Sequence, residues 1–193
     1  MGACSIFQGS SYDCENPLKA GVAERLLIGN LADIESITYN ITNTSVIENI
    51  VMKAGAAMFA FEGVRSSNKP DISLVPDDLV TSFKHMIDFS AFEVDSQAKV
   101  NLQAMAVSKT FAIFQNPKDS SLVDSVWEVL GVSTGLEMSA LNRLPASKDG
   151  SYKIQLATPE AASETALPAS FWDTDLATTQ AAIDALLVVT PAP

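Results

Sequence analysis

Apolar and polar residues alternate along much of the chain, the spacing of strands that bury one face. Ile37, Tyr39 and Ile41 alternate with Thr38 and Asn40, and residues 46–52 are dense in β-branched side chains. These runs predict a hairpin that turns at Asn43 and Thr44. The apolar run 22–28, with Glu24 and Arg25 inside it, predicts a strand before the hairpin. Residues 55–62 (GAAMFAFE) predict another after it, between Gly55 and Gly63. The cluster Ser-Ser-Asn-Lys-Pro-Asp predicts a loop over 65–76. The longest alternation covers 79–92, with Phe83, His85, Ile87 and Phe89 on one face. Ser82, Lys84, Asp88 and Ser90 lie on the other, interrupted by Met86.

The periodicity then changes. Ala98, Leu102, Met105 and Ala106 form one stripe of a helix over 97–107, with Asp95 or Ser96 as its cap. Strands are expected again at 109–115, 125–132, 135–141 and 152–156, the last following a turn at Lys148-Asp149-Gly150. Residues 158–168 read as a linker of small side chains. A second helix is expected over 175–187, capped by Thr174, with Leu176, Ile183 and Leu187 as its apolar stripe. The sum is nine strands and two helices, without regular β–α alternation. The fold class expected is mainly β: an antiparallel β-sandwich or barrel with one central and one C-terminal helix. The expected division is an N-terminal arm over 1–21, the core over 22–172, and the C-terminal helix and tail over 173–193.

Composition narrows the function. The chain has 193 residues, of which 47% are hydrophobic, enough for a real core. Twelve Lys and Arg against 23 Asp and Glu leave a net charge of −11. The cations are scattered singly (Lys19, Arg25, Lys53, Arg65), which argues against a tight grip on phosphate backbones. The N-terminal sequence has no basic and apolar signal pattern, and no apolar run is long enough for a membrane span. Cys4 and Cys14 are either two reduced thiols or one bridge, and with His85 they are too few for a structural zinc site.

Reactive constellations are sparse. His85 is the single histidine and lies on an apolar face, where a satisfied core imidazole is expected. No nucleophile elbow, phosphate-binding glycine loop or calcium loop is present. Asp77-Asp78 and the Asp173/Asp175 pair read as turn or cap groups, and Asn40-Ile-Thr and Asn43-Thr-Ser as chance glycosylation triplets. No cofactor, metal or catalytic residue is expected. Trp127 reads as core. Phe171 and Trp172, with Leu176 and Ile183 of the last helix, are candidates for a subunit interface, because aromatics concentrate in interface cores. Phe171 and Trp172 could equally pin that helix to the chain's own sheet.

Four segments together resemble a known family. They are residues 14–22 (CENPLKAGV) leading into 25–28, residues 33–39 (DIESITY), residues 127–137 (WEVLGVSTGLE), and residues 167–172 (LPASFW) ahead of a Thr/Ala-rich helix. Their order is similar to that of the major tail tube proteins of tailed bacteriophages that infect Bacteroidetes-type hosts. The resemblance implies a structural virion protein, assembled in the host cytoplasm, with no catalytic residues. It implies subunits that form stacked rings, usually hexameric, around a lumen through which DNA passes without being bound, and contacts with other tail or connector proteins. It makes 1–21, 63–78 and the C-terminal segment candidate arms. The alternatives are a head–tail joining, terminator or ring protein of the virion, or an acidic carbohydrate-binding or hydrolytic β-sandwich.

Overall fold

The computed structural model describes residues 25–64, 67–76, 81–116, 124, 126–143 and 150–189. Eleven strands and two helices form there. The strands are β1 (Arg25–Asn30), β2 (Ile34–Tyr39), β3 (Val46–Met52), β4 (Phe59–Glu62), β5 (Lys69–Val75), β6 (Ser82–Ala91), β7 (Thr110–Gln115), β8 (Trp127–Leu130), β9 (Glu137–Arg143), β10 (Tyr152–Ala157) and β11 (Ala169–Phe171). The helices are α1 (Ser96–Val107) and α2 (Leu176–Ala185). A seven-stranded sheet runs β2-β3-β11-β8-β7-β1-β4, and a four-stranded sheet runs β5-β6-β10-β9. The fold is therefore a mainly β sandwich of two separate sheets, with one central and one C-terminal helix.

Two apolar layers hold it. Between the sheets, Leu26 and Ile28 of β1 and Ala112 and Phe114 of β7 meet Ile87 and Phe89 of β6 and Ile154 and Leu156 of β10. Leu102 and Met105 of α1 join this layer, as the helix crosses from the small sheet to the large one. On the far side of the large sheet, Leu27, Ile47, Phe111, Ile113, Trp127 and Phe171 pack with Ile183 and Leu186. β1 and β7 are buried on both faces, which is why they read as unbroken apolar runs.

Several expectations require correction. The sheets are not wholly antiparallel: β11 lies parallel to β3 and antiparallel to β8. The loop expected over 65–76 contains β5, which pairs with β6 from Lys69↔Asp88 to Val75↔Ser82. Pro70 is tolerated because β5 is an edge strand. The strand expected over 55–62 begins only at Phe59, and Gly55 sits in a turn with φ +83°. Ile41 is fully exposed rather than inward, because the Asn40 side chain accepts from the Thr42 and Asn43 backbone N–H groups and bends the chain there. Ala106 is exposed, so the buried face of α1 is Ala98, Leu102 and Met105. Asp95 caps α1, and Asp175, not Thr174, caps α2 by accepting from Thr178 N–H at 2.7 Å. Cys4, Cys14, Asp77, Asp78, Lys148 and Asp149 lie outside the described residues, as does the expected arm 1–21.

Candidate functional site

His85 lies on the inner face of β6 and is 2% exposed. Its Nε2 is 3.0 Å from the Ala166 carbonyl, and its Nδ1 accepts from Gly131 N–H at 3.3 Å. Both ring nitrogens are thus used in the neutral form. Burial pushes the imidazole below the usual histidine range, opposed by the nearby Glu164 carboxylate and the bond to Ala166. This is the satisfied core histidine expected from the alternation.

Glu164, 2% exposed, was not singled out by the sequence pattern. Its Oε1 accepts from Ser133 N–H at 3.2 Å, Thr134 N–H at 2.9 Å and Thr134 Oγ1 at 2.9 Å. Buried carboxylates persist where such donors replace water. The signal lies in pairing, not local composition: Glu164 forms an isolated bridge with Phe83, far away in sequence. Tyr39 feels the same carboxylate, although burial is the larger reason its phenol sits above the ordinary range.

Glu128 and Asp175 also hold hydrogen bonds within the fold. Glu128 in β8 accepts from Asn116 Nδ2 at 2.5 Å, and burial pushes its carboxyl up against the opposing effect of that bond. Asp175 is held below the usual carboxylate range, first by the Thr178 backbone N–H. Asp173 offers its backbone N–H to Thr179 Oγ1 at 3.0 Å. Among the described residues no three His, Cys, Asp or Glu side chains gather to hold a metal ion. No described helix is long and apolar enough to cross a membrane.

The interface candidates divide between core and surface. Phe171 and Ile183 are fully buried against the large sheet of their own chain. Trp172 and Leu176 are half-buried beside them, and Trp172 N–H donates to Ile47 O at 2.9 Å. Trp127 is fully buried, as its strand pattern predicts.

The conspicuous unfilled features are strand edges. β2 and β4 end the large sheet, and β5 and β9 end the small one; no described strand pairs with their outer sides. These edges carry apolar side chains: Phe59 on β4 is 61% exposed, Leu74 on β5 59% and Leu141 on β9 44%. Beside β4 an open groove of about 680 Å³ runs between β1, the end of β6 and α1, lined by Phe59, Phe61, Phe92, Leu102 and Met105. At the opposite end of the same sheet, the β2–β3 turn presents Ile41. Asn40 braces this tip, and Asn43 Oδ1 accepts from Ser45 N–H at 3.1 Å. Sequence reasoning found the β2–β3 hairpin but not which strands would be edges, because that is decided by distant pairing partners.

No protein-family model matches the chain, and comparison with curated proteins and with solved structures returns no match.

Proposed function

We propose that the chain is a structural subunit that assembles with copies of itself into rings, and that the rings stack into the tube of a phage tail. The observation that carries this reading is the pair of edges at the two ends of the large sheet that no described strand covers. One borders an apolar groove with Phe59, and the other carries the Ile41 tip. Unpaired edges with exposed apolar side chains promote uncontrolled association unless they are covered. Two dissimilar edges on opposite ends of one sheet suit a head-to-tail contact, which closes into a ring when the rotation permits. The charge of −11 per chain, repeated around such a ring, repels phosphate and lets DNA pass without being held.

The test is assembly of the purified full chain at tens of micromolar, followed by light scattering and negative-stain electron microscopy. Rings that stack into tubes are expected. Rings that never stack would move the assignment to a head–tail joining or terminator component. A discrete monomer throughout, in particular one that hydrolyses or binds saccharides, would overturn it. Phe59 is largely exposed, so Phe59→Lys places a charge on the β4 edge at little cost to the core, and is expected to leave a folded monomer that forms far fewer rings.

A further inference from the structure

Residues 158–168 cross from β10 in the small sheet to β11 in the large one, and they are fastened along their length. Thr158 N–H donates to His85 O at 2.9 Å, and Thr158 Oγ1 accepts from His85 N–H at 3.2 Å. Glu164 exchanges two backbone bonds with Phe83, at 2.8 and 2.9 Å. The Ala166 carbonyl accepts from His85 Nε2. A second segment, the loop 131–135, is fastened to the same two side chains: Gly131 N–H to His85 Nδ1, and Ser133 and Thr134 to Glu164 Oε1. Among the described residues, the hydrogen bonds that join strap to loop run through His85 and Glu164.

We propose that this strap is a latch released by acid, with His85 as its pin. The Ala166 carbonyl can only accept and the Gly131 N–H can only donate, so the ring must carry its proton on Nε2 and leave Nδ1 bare. A second proton on Nδ1 sets two donors against each other, and the Gly131 bond is lost. The ring is out of water, so the positive charge gains no hydration in return. The charged group facing it is Glu164, from the strap itself; Tyr39 of β2 lies close enough to Glu164 to feel it. The loop 131–135 contributes no titratable side chain, and the residue opposite His85 on β5 is Ile72. Lys84 lies on the other face of β6, and Glu160 is exposed on the strap.

The sign follows from linkage. An imidazole harder to protonate folded than unfolded costs nothing above its unfolded pKa, about 6.5. As pH falls below that value, the closed latch loses ground by about tenfold per pH unit, until the folded pKa is reached. Opening frees the strap, the loop 131–135 and the run into β11.

Because the chain has one histidine, isotope-labelled histidine gives a single imidazole signal. The expected result at about pH 7.5 is the Nε2–H tautomer, titrating below 6.5. Hydrogen exchange, corrected for its intrinsic pH dependence, is then compared between about pH 7 and about pH 5. Peptides covering 131–135 and 158–167 are expected to lose protection, by no more than about tenfold for each pH unit below 6.5, while those of β7 keep theirs. In His85→Gln, which retains Glu164 but cannot titrate at this position, that loss is expected to vanish. Titration of the histidine at or above 6.5 would overturn the proposal, as would an equal loss in His85→Gln or parallel loss across β7. If the variant does not fold, the titration and exchange of the unaltered chain still decide.

Discussion

Arg25 Nη1 lies 3.0 Å from Asp184 Oδ1, which ties the first residue of β1 to α2 across 159 positions of sequence. Both side chains are substantially exposed, so water and salt screen most of the attraction. Asp184→Ala is expected to lower stability by only about 0.5 kcal/mol, and the difference should shrink further in high salt. Urea melts of the two proteins at low and high ionic strength check this.

The two adjacent aromatics at the end of β11 should behave differently. Phe171→Ala opens a cavity under α2 and is expected to cost about 3–5 kcal/mol of monomer stability. Trp172 is half-buried and keeps its backbone bond to Ile47 when its side chain is cut back. Trp172→Ala is therefore expected to leave the monomer folded and to weaken ring formation. Parallel denaturation and light-scattering measurements separate the outcomes; a Trp172→Ala monomer that fails to fold would place this side chain wholly in the subunit's own core.

Gly131 has φ +71°, and a Cβ there would come within 2.6 Å of Leu136 Cγ. Both the left-handed backbone and the lack of space oppose any other residue. Gly131→Ala is expected to cost about 2 kcal/mol or more, and the urea midpoint measures it. The same change should disturb the His85 resonance, since Gly131 N–H is the donor to its Nδ1.

Glu128 carries a penalty that a neutral side chain avoids. Its carboxyl is harder to ionise folded than unfolded, so stability falls as pH rises through the unfolded carboxylate range and stays lower above the folded value. Glu128→Gln is expected to match the parent at about pH 4 and to be the more stable protein at about pH 7. Thermal melts across that range give the comparison.

Asp175 works in the opposite sense. Its carboxylate caps α2 and is favoured by the fold, so its contribution is present above the unfolded carboxylate value and is lost as pH falls. Asp175→Asn keeps a capping oxygen without the titration. Its acid limb below about pH 4 is expected to be shallower, with circular dichroism as the readout.

What could be read from the chain was whatever depends on near neighbours. The β2–β3 hairpin, the inner face of β6 and the buried stripe of α1 follow from alternation, a turn and a cap within a few residues of one another. β5 was hidden because its Ser, Asn and Pro are turn formers in isolation, and only the partner β6 makes an edge strand of them. β11 was hidden because Ala-Ser-Phe has no periodicity to detect; it is a strand because β3 and β8 lie on either side. The same distinction applies at the polar centre. The burial of His85 was legible from Phe83, Ile87 and Phe89, whereas Glu164 emerges from a stretch whose composition suggests only a linker.

The three residues of β11 also set an order of events during synthesis. β2 and β3 leave the ribosome well ahead of β11, the strand that joins them to β8. Until then the hairpin has only itself to pair with, and a lone two-stranded hairpin is barely stable in water. The nascent chain must therefore wait for β11 before the large sheet can close, which makes termination ahead of β11 a route to aggregation rather than to a smaller working domain.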